Sequence, residues 1–105
     1  MLVYNIYNEN SKQLIETFHS TEELSDYIEA ITNIESFNEF LDSQYTVKIY
    51  NITFKPSDVY YKMDRTNYYK AYDEYTNFVA KSLIENLKTE NSISYNDMII
   101  KKEEV

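Results

Sequence analysis

Glycine is absent from the sequence altogether. A phosphate-cradling P-loop, a dinucleotide-binding fingerprint, a nucleophile elbow and an EF-hand calcium loop each need glycine where the backbone turns sharply or approaches a ligand. All four are therefore excluded in their usual form. Cysteine is absent too, which removes a disulfide framework and any thiolate zinc site. The single histidine, His19, cannot alone supply a two-histidine metal centre, and beside Glu22 and Glu23 it reads as a surface residue. No Asp/Glu-x-Lys triplet occurs, so the nuclease signature of restriction-endonuclease type is missing. Asp73 and Glu74 are adjacent on a helical stretch and point in different directions, which disqualifies them as an acid–base pair. No apolar run approaches the roughly 20 residues that span a bilayer, and the N-terminus lacks the basic-then-apolar pattern of a secretory signal. The expectation is a cytoplasmic protein, not an enzyme, with no cofactor and no bound metal.

Basic residues are scarce where acids are dense. The 105-residue chain has a net charge of −8, and residues 1–47 carry all of it, with nine acids against the single base Lys12. Residues 48–105 hold nine acids and nine bases. Such a surface repels a phosphate backbone and an anionic membrane, so neither nucleic acid nor membrane is expected as a direct partner. A basic protein surface is favoured instead, because complementary charge speeds encounter. Hydrophobic residues make up 43% of the chain, enough for a folded domain rather than a disordered one.

Hydrophobic periodicity predicts an α+β domain in the order β-β-α-α-β-α, a small antiparallel sheet packed on helices that include one long C-terminal helix. Residues 2–8 and 13–19 read as a hairpin around an Asn8–Lys12 loop, with Asn10 the candidate for a left-handed position. Ser20 and Glu23 have the spacing of a capping box, followed by Leu24, Tyr27, Ile28 and Ile31 at helical period. Thr32 or Asn33 restarts a second short helix carrying Ile34, Phe37, Phe40 and Leu41. Residues 45–54 read as one strand closed by Pro56. The strongest helical period runs from about Arg65 to Lys88, through Tyr72, Thr76, Val79, Leu83 and Leu87; whether that helix starts at Ser57 or breaks near Met63-Asp64 the pattern leaves open. The expected domain spans residues 1–90, and 91–105 form a tail or an edge strand.

The two short helices place acids alike, Glu22, Asp26 and Glu29 on the first and Glu35, Glu39 and Asp42 on the second, each at i, i+4, i+7. With the apolar residues on the other side, both rows face solvent. Each row is about 10.5 Å long, and no base at i±4 offsets the mutual repulsion. A row of three charges is sparser than a DNA duplex, with one charge per ~1.7 Å, so any mimicry of nucleic acid is partial. Six of the twelve tyrosines fall between Tyr60 and Tyr75. One of Tyr60 and Tyr61, and one of Tyr68 and Tyr69, should be exposed, where tyrosine supplies rigid contact area with a polar tip.

The stretch PSDVYYKMDRTNYYKAYDEY, residues 56–75, resembles a pattern in small phage and prophage proteins. In these a Pro-Ser-acidic-aliphatic opening precedes an Asp, an aromatic, a small residue and an acidic-aromatic pair. The matching positions are Pro56, Ser57, Asp58, Val59, Asp64, Tyr68, Ala71, Glu74 and Tyr75, while Tyr69-Lys70 stands where an arginine is common. The resemblance implies a mobile-element origin. In size, charge and composition the chain is also similar to anti-CRISPR and anti-restriction inhibitors. The expected function is a phage-encoded inhibitor that binds a basic nucleic-acid-handling host protein, such as a CRISPR effector or a restriction enzyme. The expected docking residues are the six acids of the two rows and Tyr60, Tyr61, Tyr68 and Tyr69. The alternatives are a phage structural or regulatory homodimer closing through the tyrosines, and an antitoxin.

Overall fold

The computed structural model describes residues 1–44 and 46–105, and its architecture is α+β. Its elements are β1 (Leu2–Asn8), β2 (Leu14–Phe18), α1 (Thr21–Ile31), α2 (Ile34–Gln44), β3 (Val47–Ile49), β4 (Ile52–Phe54), α3 (Pro56–Met63), α4 (Arg65–Leu87), β5 (Ser92–Tyr95) and β6 (Met98–Glu104). They gather into two compact units, one of Met1–Ala30 with Asn77–Val105 and the other of Ile31–Thr76.

The first unit is built on an antiparallel sheet of strand order β2-β1-β6-β5. β6 pairs with β1 over its whole length, from Leu2 opposite Glu104 to Asn8 opposite Met98. Residues 91–105 are thus not a loose tail: of the two expectations the edge strand is present, as β5, and the segment also supplies β6 in the sheet's interior. On one face Tyr4, Ile6 and Ile100 pack with Leu24 and Ile28 of α1 and with Ala80 and Leu87 of α4. The other face carries a polar chain across three strands. Thr17 Oγ1 donates to Asn5 Oδ1 at 2.7 Å, Asn5 Nδ2 donates to Glu103 Oε2 at 2.6 Å, and Tyr7 OH donates to Glu103 Oε1 at 3.3 Å. Burial and the Glu103 carboxylate push the Tyr7 phenol above its ordinary pKa.

Turns without glycine place other residues in left-handed backbone. Lys12, not Asn10, takes that role in the first hairpin (φ 63°), because the Asn8 side chain already accepts the N–H groups of Asn10 and Ser11 and the chain closes only at Lys12. Asn96 and Asp97, at φ 54° and 63°, form the two-residue turn between β5 and β6, as a type I′ hairpin requires. Tyr50 (φ 56°) turns β3 into β4. The stretch expected as a single strand over 45–54 is therefore a hairpin; Tyr45, its expected first residue, lies outside the described residues.

The capping box at α1 forms with a shifted partner. Ser20 Oγ accepts the Glu23 N–H at 3.1 Å, and the Glu23 carboxylate reaches back to the N–H of His19 at 3.3 Å. Asn33 caps α2 by accepting the Ser36 N–H at 2.9 Å.

In the second unit Phe37 of α2 is buried, with the rings of Tyr68, Tyr72 and Tyr75 of α4 at 5.4, 5.7 and 5.5 Å. Phe40, read as a core residue, is 44% exposed and covers Tyr75 from outside at 5.2 Å. Of the two possibilities that the period left open, the break near Met63-Asp64 is the one found, and it falls at Asp64. Its N–H still bonds back to Tyr60, while its carboxylate accepts the Asn67 N–H at 3.1 Å and so starts α4. One residue ends α3 and caps its successor.

Candidate interaction surfaces

In the first unit, α1 presents Glu22 and Asp26 to solvent and holds Glu29 half-buried. Glu22 and Glu23 lie in its first turn, where the helix dipole favours negative charge, and its last turn has no base. In the second unit, α2 presents Glu35 and Glu39 to solvent. Among the described residues the ion pairs are Met1–Glu104 and Lys88–Glu85, so the five acids Glu22, Asp26, Glu29, Glu35 and Glu39 have no ion-pair partner there.

Asp42 stands apart. Its Oδ1 accepts the N–H of Ser57 at 2.9 Å and its Oδ2 accepts the Ser57 hydroxyl at 3.1 Å. Ser57 is buried in the first turn of α3, behind Pro56, and no side chain of the preceding Lys55 caps that helix. The carboxylate of Asp42 does so from fifteen residues away. It is a structural acid, not a free member of a docking row. Asp42→Ala should cost about 1–2 kcal/mol of stability, the usual loss for a missing cap. Asp42→Asn should cost far less, because the amide keeps an acceptor for the N–H and turns its NH2 to the hydroxyl oxygen. Urea unfolding of the two variants side by side separates the hydrogen-bonding role from the charge.

The four candidate tyrosines come together. Tyr68 is buried, and its hydroxyl donates to Asn38 Oδ1 of α2. Burial raises its phenol above the ordinary pKa, so the neutral donor persists. Tyr69 is 45% exposed. Tyr60 and Tyr61 are both half-buried, so neither is the exposed partner expected of that pair. The reversal at Asp64 brings the C-terminal end of α3 onto the first turns of α4, and both rings meet Tyr68 edge-on, at 5.9 and 5.3 Å. Arg65 then lies 4.5 Å above the Tyr61 ring. A cleft of about 270 Å³ opens between Ile34 and Asn38 of α2 and the rings of Tyr61, Tyr68 and Tyr69. Tyr69 is its accessible wall; Tyr60, Tyr61 and Tyr68 act mainly by packing.

Sequence reading missed the apolar exposure of the β3–β4 hairpin, where Ile49, Tyr50, Ile52 and Phe54 are all exposed. A turn at Tyr50-Asn51 puts Val47, Ile49, Ile52 and Phe54 on one face; read as one continuous strand, the same residues scatter over two. Among the described residues no group of three or more His, Asp or Glu side chains is placed to hold a metal ion, and no helix is long and apolar enough to cross a membrane. No protein family, curated protein or solved structure matches the chain.

Proposed function

We propose that this is a non-catalytic binding protein of phage or prophage origin, acting in the host cytoplasm as an inhibitor of a basic, nucleic-acid-handling defence protein. The observation that supports it is the set of five acids, Glu22, Asp26, Glu29, Glu35 and Glu39, held on helices without an ion-pair partner among the described residues. A helix selected for stability alone would interleave lysines at i±4, worth a few tenths of a kcal/mol each. Leaving them out raises the negative potential that a positively charged cleft, built to hold phosphates, attracts. Tyr69 adds short-range contact area on the second unit. Inhibition then follows from occupancy: a phosphate-binding surface covered by carboxylates is closed to DNA or RNA.

The reading predicts a steep dependence on salt. Between low salt and about 0.5 M, where the Debye length shrinks to a few Å, affinity for the partner should fall by at least about tenfold. A titration at several salt concentrations measures this. Affinity independent of salt would remove the electrostatic basis of the proposal.

A further inference from the structure

A second surface, independent of the acidic rows, lies wholly in the Ile31–Thr76 unit. β3 and β4 form a sheet of two strands, with both outer edges unpaired among the described residues. Two strands alone are marginal in water, and an open edge offers its N–H and C=O groups to a further strand. Opposite pairs in the ladder share a face, so Val47, Ile49, Ile52 and Phe54 point one way and Lys48 and Thr53 the other. On the apolar side, Ile49 and Phe54 with Val59 and Met63 of α3 line a groove of about 220 Å³, with Asp58 and Lys62 beside them. Among the described residues of the unit nothing fills it: Ile49 is 55% exposed, Ile52 60% and Met63 82%.

Charge selects the occupant. Residues 46–63 carry Lys48, Lys55 and Lys62 against Asp58 alone, in a chain whose net charge is −8. All three lysines are exposed, and none has an ion-pair partner among the described residues. A second copy of the chain would bring the same lysines against this edge, and like charges opposite one another in a ladder are unfavourable.

The geometry points to strand addition: the hairpin edge takes up an extended segment of a partner protein in which apolar and acidic residues alternate. Period-two alternation places every second side chain of the added strand over the groove, against Ile49, Ile52 and Met63. It places the others on the Lys48 side, where carboxylates find an unpaired ammonium. Main-chain hydrogen bonds supply the affinity and the two faces the selectivity.

The test uses the full chain with two labelled peptides, one alternating valine with glutamate and one alternating valine with lysine, followed by fluorescence anisotropy. The glutamate peptide should bind and the lysine peptide should not. Lys48→Glu should weaken the glutamate peptide by about tenfold or more and admit the lysine peptide, as expected when an opposite-charge pair becomes a like-charge pair. Ile49→Thr with Ile52→Thr, at exposed positions that keep strand propensity, should abolish binding with the far-UV spectrum unchanged. Amide exchange in β3 or β4 should slow when the peptide is bound. Changing Glu22, Asp26, Glu29, Glu35 and Glu39 to their amides should leave peptide binding intact, which separates this surface from the proposed inhibitory face. Equal binding of both peptides, or binding indifferent to the isoleucine changes, would overturn the proposal. So would a concentration-dependent mass that the isoleucine changes abolish, which would assign the edge to a second copy. Binding to phosphatidylglycerol vesicles but to neither peptide would assign it to lipid.

Discussion

Deletion of residues 92–105 is expected to abolish cooperative folding of the unit that contains the four-stranded sheet. The segment looks dispensable in the sequence, ending in Lys101-Lys102-Glu103-Glu104 after a polar stretch. In the fold it is the inner strand: β6 lies in register with all seven residues of β1 on one side and pairs with β5 on the other. It also carries Ile100, fully buried among Ile6, Leu24 and Ile28. The Lys102 ammonium ties it further to the end of α4 by donating to the Leu87 carbonyl. Without it the sheet reduces to the β1–β2 hairpin, and a two-stranded hairpin does not sustain a core in water. Urea unfolding followed by far-UV circular dichroism should show a broad, non-cooperative loss of signal for the shortened chain. A transition at the full-length midpoint would mean that β1 and the helices hold the core alone. The milder change Ile100→Ala should cost about 2–5 kcal/mol, as for other buried aliphatic truncations.

Phe37→Ala should have the largest effect of any single substitution in the Ile31–Thr76 unit. The ring is 2% exposed and touches three tyrosines spaced at i, i+4 and i+7 along α4. Removing a buried phenylalanine costs about 3–5 kcal/mol, from lost transfer energy and from the cavity left behind. Each ring–ring contact adds about 0.5–1.5 kcal/mol beyond burial. Against a total of about 5–15 kcal/mol for a small domain, most of the margin would go. Urea midpoints give the loss, and the near-UV signal of the tyrosines should flatten as Tyr68, Tyr72 and Tyr75 lose their common partner. A loss under about 1 kcal/mol would mean that the neighbouring rings close the gap, or that Phe37 is not the centre of this unit.

Local signals carried much of the fold into the sequence. Ser20 and Glu23 announced α1, and the Leu24–Ile28 repeat marked its buried side. Asn33 announced α2. Boundaries set by unusual backbone did not show. Tyr50 in left-handed geometry splits one expected strand into two, although nothing in the propensity of tyrosine favours that position. The break near Met63-Asp64 was one of two readings the period allowed; what decides it is that the Asp64 side chain caps one helix while its own N–H completes another, which periodicity alone does not register. The acids of the two rows were legible as charge and as helical spacing. Asp42 was not separable from its row, because its partner Ser57 is brought to it only by tertiary structure. The tyrosine pairs divide in the same way. Alternation on a single helix separated Tyr68 from Tyr69, whereas the fate of Tyr60 and Tyr61 depended on where the chain reverses.

Because Asp42 is structural, the decisive variant leaves it in place and changes only Glu22, Glu29, Glu35 and Glu39 to Gln and Asp26 to Asn. Tagged wild type and this variant, both checked for an unchanged unfolding midpoint, are used to capture proteins from a host lysate that expresses its nucleic-acid-directed defences. The proposed function predicts that a basic, nucleic-acid-handling protein is retained by the wild type and lost, or weakened at least about tenfold, with the variant. The same protein retained equally by both, or no such protein captured by the wild type, would contradict it.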